Sequence, residues 1–162
     1  LSRQLIKERS LKMEIQGKEP LMSVGFLLGA TYRKVTALLM HRLKDFDITP
    51  EQWSVLYHVA DDEGMIQKEI AARTFKDKPT VTRILHQLEH KGFIVRQEDE
   101  MDRRSMRIYA TEQGRQLIAD TISIEESISD EVRACISVES HDQLKQYLME
   151  LNSYFNKELG TE

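Results

Sequence analysis

The stretch Lys78-Pro79-Thr80-Val81-Thr82-Arg83-Ile84-Leu85-His86-Gln87-Leu88-Glu89-His90-Lys91-Gly92 decides how this chain is read. Val81, Ile84, Leu85 and Leu88 recur at spacings of three and four, so a helix from Pro79 to Lys91 puts them on one face, with Gly92 as its stop. The opposite face carries Pro79, Thr82, Arg83, His86 and His90, with Thr80 and Gln87 at its edge and Lys76 and Lys78 at the N-terminal end. That face is polar and nearly free of carboxylates, Glu89 lying on the flank. Such a surface suits a nucleic acid. The helix N-terminus favours phosphate, an arginine pairs with guanine through two bonds, a glutamine with adenine, and threonine methyls with thymine. The competing reading is an ordinary solvated helix face.

Outward from this helix, Phe75-Lys76-Asp77-Lys78 is a polar break, and Gln67 to Thr74 before it is a short helix with Ile70 and Ala71 inward. Met65-Ile66-Gln67 is a short extended piece. After Gly92 two strands alternate apolar and polar residues, Phe93-Ile94-Val95-Arg96-Gln97 and Met106-Arg107-Ile108-Tyr109-Ala110, around a charged tip from Glu98 to Ser105. Two short helices and a two-stranded ribbon in this order read as a winged helix-turn-helix. Thr49-Pro50-Glu51-Gln52 opens the preceding helix with a cap, a proline in the first turn and a capping-box spacing; Trp53, Leu56, Tyr57 and Ala60 are its inward face, and Gly64 is the turn after it. Apolar periodicity from Pro20 to near Asp47 marks a long first helix. Two more helices follow the ribbon, one carrying Leu117, Ile118, Ile122, Ile128 and Val132, the last starting at about Ser140 and carrying Leu144, Tyr147, Leu148, Leu151, Tyr154 and Phe155. The expected fold is mainly α: a winged helix-turn-helix with a two-stranded β-wing and N- and C-terminal dimerisation helices.

A length of 162 residues suits one domain plus a dimerising appendage, and 40% apolar with 31% charged residues supports a core. No run reaches the roughly 18 apolar residues of a membrane-spanning helix, so no membrane partner is expected. The single cysteine, Cys135, cannot close an internal disulfide, which points to a reducing, cytoplasmic setting. The net charge of −4 is unevenly spread: Lys76 to Arg107 has a net charge of +2, and Asp120 to Glu162 a net charge of −7. A polyanion-binding surface therefore belongs to the middle of the chain.

The tip Glu98-Asp99-Glu100-Met101-Asp102-Arg103-Arg104-Ser105 offers Arg103 and Arg104 to a narrow minor groove, with Asp102 placed to orient a neighbouring guanidinium. Its acids repel phosphate unless they are aimed away.

Taken together, Lys78-Pro79-Thr80-Val81-Thr82-Arg83-Ile84-Leu85, Leu88-Glu89-His90-Lys91-Gly92-Phe93-Ile94-Val95-Arg96, Asp102-Arg103-Arg104 and Ala110-Thr111-Glu112-Gln113-Gly114 resemble the MarR-type (multiple antibiotic resistance regulator) transcriptional regulators, from about Leu21 to the C-terminus. The resemblance implies a dimeric winged-helix DNA binder whose terminal helices form the dimer. Pro79 to Gln87 would be its recognition helix, and Arg103 and Arg104 would belong to its wing. Pro79 replaces a small polar residue and removes one N–H from the helix start. Residues 1–19 are then an N-terminal arm or an appended segment, and 20–162 one domain. About 48–112 form the DNA-binding lobe, and about 20–47 and 113–162 the dimerisation helices. The expected function is a homodimeric repressor on a pseudo-palindromic double-stranded operator, released by a small-molecule effector.

Small aromatic or phenolic effectors bind such regulators between the dimer helices and the DNA-binding lobe, which makes Tyr32, Trp53 and Tyr57 candidate pocket residues; ordinary core packing is the competing and favoured reading. The alternatives to a repressor are a winged-helix protein-interaction module without DNA binding and a metal- or redox-sensing regulator. His86 and His90 have an i, i+4 spacing but no third ligand, so no metal or cofactor is expected, and Cys135 reads as an inert structural thiol. No nucleophile elbow, P-loop or dinucleotide fingerprint is present, so no enzyme is expected.

Overall fold

A computed structural model describes residues 23–99 and 105–160. The chain divides into two compact units, residues 1–38 and 39–162. Within the described residues the order is α1 (Val24–Arg42), α2 (Pro50–Asp61), β1 (Met65–Ile66), α3 (Gln67–Arg73), α4 (Lys78–His90), β2 (Ile94–Glu98), β3 (Met106–Ala110), α5 (Glu112–Ile136) and α6 (Val138–Leu159).

The first unit contributes most of α1, a helix with no buried residue. Phe26, Leu27, Tyr32 and Val35 on it are exposed.

The second unit holds the core. Val55, Leu56, Val59, Ile70, Val81, Ile84, Leu85, Leu88, Ile94 and Ile108 are each no more than 1% exposed and form one cluster. Each such aliphatic side chain contributes about 2 kcal/mol on burial, so the face of α4 that carries four of them is firmly seated. Helix α2 begins as its sequence requires. Thr49 Oγ1 accepts from Gln52 N–H at 3.3 Å, Gln52 Oε1 accepts from Thr49 N–H at 3.2 Å, and Pro50 fills the first turn. Its buried set is wider than the expected single face, because Val55 and Val59 are enclosed along with Trp53 and Leu56.

The two-stranded wing belongs to a three-stranded sheet. Its order is β1-β3-β2, all antiparallel, with Met65 opposite Ile108 and Ile94 opposite Ala110. The wing itself is the β2–β3 pair; Met65 and Ile66 add a third strand along β3. The first helix ends at Arg42 rather than near Asp47, since the backbone turns where Phe46 N–H bonds to Leu43 O and Ile48 N–H to Phe46 O. The last helix begins at Val138, two residues before Ser140. Ser137, at φ 69°, makes the corner between α5 and α6 and caps the new helix through Ser140 N–H.

Candidate nucleic-acid interface

Helix α4 takes the place the sequence assigns it. Asp77 caps it: Oδ1 accepts from Thr80 N–H at 2.7 Å, and Oδ2 accepts from the Thr80 hydroxyl at 3.0 Å. These bonds hold the Asp77 carboxyl below its ordinary pKa of 3.8, the backbone bond contributing most. The cap changes how the helix end meets a phosphate. Pro79 has no N–H, Thr80 N–H is bound to the Asp77 side chain and Val81 N–H to the Asp77 carbonyl at 3.1 Å. Of the first four helical residues, only Lys78 keeps an amide outside these bonds, and a carboxylate already sits on the positive end of the helix. Backbone capture of phosphate is thereby weakened, and attraction at this end falls to the side chains of Lys76 and Lys78.

Along the outer face, Pro79, Arg83, His86, Gln87 and His90 are exposed, and Thr80 and Thr82 are half-buried. Thr82 serves the helix-turn-helix itself. Its hydroxyl donates to Lys78 O at 2.8 Å and accepts from Gln67 Nε2, which also bonds Lys78 O, so α3 is pinned to the start of α4. Only its methyl is left for a base edge. The turn between α3 and α4 runs through Phe75, exposed and at φ 52°, a left-handed conformation unusual for an aromatic residue.

Two partners of the outer face were not foreseen from sequence. Glu51 of α2 lies 3.7 Å from the Arg83 guanidinium, both side chains being well exposed. Gln52, 5% exposed, donates through Nε2 to Gln87 Oε1 at 3.1 Å. The Gln52 side chain in turn meets Lys91, whose ammonium donates to Gln52 Oε1 at 3.2 Å, to Asp47 O at 2.8 Å and to Asp47 Oδ1 at 2.9 Å. An open cleft of about 270 Å³ lies over this group, lined by Gln52, His86, Gln87, His90 and Lys91.

Arg103, Arg104 and Asp102 lie outside the described residues. The base of the wing is described, and it resolves part of the acid problem. Asp99 is buried and turned inward, with Oδ2 2.6 Å from Arg107 Nε, while Arg107 Nη1 donates to Gly64 O at 2.8 Å. One of the tip's acids is therefore neutralised inside the fold, and Arg107 ties both wing strands to the turn before β1. In the middle of β2, Arg96 lies 3.2 Å from Glu89 of α4.

The aromatic candidates separate. Trp53 is buried, stacks on Tyr57 at 5.4 Å and 12°, and donates through Nε1 to Thr121 Oγ1 of α5 at 2.8 Å, which is a core role. Tyr57 is half-buried, and Tyr32 is an exposed residue of the other unit. Cys135 is exposed rather than packed. Among the described residues no helix is long and apolar enough to cross a membrane.

A well-seated helix in a helix-turn-helix, followed by a strand pair with a clamped base, defines a winged-helix regulator of transcription. Comparison with known proteins agrees: residues 46–105 match the model of the MarR family. The HTH-type transcriptional regulator SarZ of Staphylococcus aureus is 31% identical over 106 residues, spanning 65% of this chain and 72% of SarZ. The crystal structure of the transcriptional regulator SlyA superposes with a TM-score of 0.77 at 26% identity, covering 85% of this chain and 96% of SlyA. That of S. aureus MepR in complex with DNA gives a TM-score of 0.75 at 27% identity, covering 82% and 98%. The chain belongs to the MarR family of transcriptional regulators.

Proposed function

We propose that this protein is a homodimeric repressor that binds a pseudo-palindromic operator through α4 and the wing, with release by a small-molecule effector. The observation that carries the DNA contact is the two-sidedness of α4: Val81, Ile84, Leu85 and Leu88 are no more than 1% exposed while Arg83, His86 and Gln87 stand in solvent. A base-reading helix needs such rigid seating. The similarity to MepR, solved with DNA, supports the same partner here.

Lys76, Lys78, Pro79, Thr80, Thr82, Arg83, His86 and Gln87 form the major-groove surface in this reading, and Arg103 and Arg104, oriented by Asp102, the minor-groove contact. The dimer reading draws on α6, where Leu144, Tyr147, Leu151, Tyr154 and Phe155 are all at least 36% exposed and His141 is the buried residue. A second copy covers such a row, and its two-fold axis sets two α4 helices roughly one DNA turn, about 34 Å, apart. An aromatic or phenolic effector acting near Tyr32, Trp53 and Tyr57 rests on family resemblance alone.

The test is selection of bound sequences from a random duplex pool, followed by affinity against salt for wild type and Arg83→Ala. A palindrome should emerge, binding should fall steeply with salt, and Arg83→Ala should cost about 1–3 kcal/mol of specific affinity. Because Arg83 faces away from the core, its loss should leave the melting temperature in place. Unchanged affinity in a folded Arg83→Ala protein removes Arg83 from the contact set. No salt-dependent binding at all favours the protein-interaction reading.

A further inference from the structure

We infer that Gln52, a buried residue of α2, sets which end of the Gln87 amide faces the major groove, and thereby makes Gln87 present its donating end to the bases. The inference deepens the DNA-binding reading above and rests on it.

The argument is one of hydrogen-bond direction. A glutamine amide has one accepting end and one donating end, and its orientation follows from its neighbours. Gln52 Oε1 is met by two groups that can only donate: the backbone N–H of Thr49 at 3.2 Å and the ammonium of Lys91 at 3.2 Å. The ammonium is itself held by the carbonyl and carboxylate of Asp47. Turning the Gln52 amide over would set its NH₂ against both donors. Its Nε2 therefore points the other way, toward Gln87, and donates. Gln87 answers with Oε1 at 3.1 Å, which leaves its own Nε2 as the group presented outward from α4.

An outward NH₂ has two hydrogens to give and nothing with which to accept. In the major groove guanine offers N7 and O6, and thymine offers O4, all acceptors; adenine pairs an N7 acceptor with its N6 amino group, and cytosine offers only the N4 amino group, where a donor is unwelcome. The accepting end of Gln87 is turned toward its buried partner, so the donating end leads into the groove. Gln87 is thus set against cytosine on the strand it faces, since that edge holds no acceptor for it. Gln52 acts through Gln87 and is a positioning residue.

The decisive variant is Gln52→Glu. A glutamate at this place satisfies the same capping geometry at the start of α2, and its carboxylate still accepts from Thr49 N–H and Lys91. Its second oxygen, however, can only accept, so Gln87 must turn its NH₂ inward and expose Oε1. Wild type, Gln52→Glu, Gln87→Ala and the double variant are compared on duplexes carrying all four bases at each position of the selected operator. The added negative charge lowers affinity on every duplex alike, so preference is read as a ratio between bases.

One position should favour guanine over cytosine by about tenfold in wild type, shift toward cytosine in Gln52→Glu, and lose this preference whenever Gln87 is alanine. A folded Gln52→Glu protein that keeps the wild-type preference overturns the inference, as does a Gln87→Ala protein with unchanged preference at every position. A DNA-free arm separates this from failure of DNA binding. In the isolated wild-type protein, the side-chain NH₂ of Gln52 should be protected from solvent exchange in NMR spectra and that of Gln87 unprotected. Gln52→Glu should protect one Gln87 proton. The reverse pattern in wild type refutes the relay whether or not an operator is found. Absence of any DNA binding, with the relay pattern intact, refutes the proposed function and the base preference built on it.

Discussion

Replacing Gly114 by alanine sets two opposing effects against each other. Gly114 lies in the first turn of α5, where its N–H donates to Thr111 Oγ1 at 3.1 Å. Alanine improves on glycine in a helix by about 1 kcal/mol, so secondary structure alone predicts a more stable protein. Packing predicts the reverse. A Cβ at Gly114 would fall 2.1 Å from the carbonyl oxygen of Phe93 and 3.3 Å from Leu56 Cδ1, whereas ordinary contact begins near 3.4 Å. The oxygen belongs to backbone and accepts from Thr111 N–H at 3.0 Å, beside the bond from the Thr111 hydroxyl to Gly92 O at 2.7 Å. Moving the carbonyl by more than 1 Å strains the junction between β2 and α5, at about 1–3 kcal/mol for overpacking, and breaks one or two hydrogen bonds worth about 1 kcal/mol each. After the propensity gain, Gly114→Ala should lose about 1–4 kcal/mol, read as a lower urea midpoint with unchanged slope. Gly29→Ala is the internal control. It is mid-helix in α1, and its nearest neighbour is the mobile end of Arg33 at 3.4 Å, so it should gain roughly 0.5–1 kcal/mol. A Gly114→Ala protein as stable as wild type would refute the reasoning.

Two further outcomes follow from buried polar groups. Thr121→Val strands the buried indole N–H of Trp53 and should cost about 1–3 kcal/mol; in the Trp53→Phe background the same change should be nearly neutral, a coupling measurable by a double-mutant cycle in denaturant. Glu125 is raised above its ordinary pKa of 4.5, first by burial and then by Glu126, so the folded state prefers its proton and stability is lost as pH rises from 4.5 through the raised value. Glu125→Gln should therefore stabilise the protein at pH 7 and give no such gain below pH 4; an equal gain at both, in melting scans across pH, would count against this cause.

The sequence carried the fold wherever a residue's partners are close in the chain. The four buried positions of α4, the Thr49 cap and the turn at Gly64 all follow from spacing and residue type. β1 is only two residues long, too short for alternation to announce it as a strand of the wing sheet. Val55 and Val59 escaped the inward face of α2 because that helix is enclosed on more than one side, and a one-stripe pattern assumes a single buried face. In the candidate interface, the outward residues of α4 were legible and their tethers were not. Gln52 and Gln87 are 35 residues apart, and Arg83 and Glu51 come from different helices. Asp77 was legible in principle, standing three residues before Thr80 as a capping aspartate does, but it reads equally well as one charge in a polar break. The inward turn of Asp99 depends on Arg107 across the hairpin, and no local pattern distinguishes that acid from its neighbours.

The Trp53–Thr121 contact has a spectroscopic consequence. The chain contains one tryptophan, and it sits where α2 meets α5, stacked on Tyr57 and bonded to Thr121. All indole emission from this protein therefore originates at a single joint between the lobe that carries α4 and the long helix leading to the C-terminus. A blue-shifted spectrum reports that joint closed, and a red shift reports it opened to water. Ligand binding that wedges the two helices apart is visible in the native protein without a label, while events confined to the exposed face of α4 leave the emission unchanged.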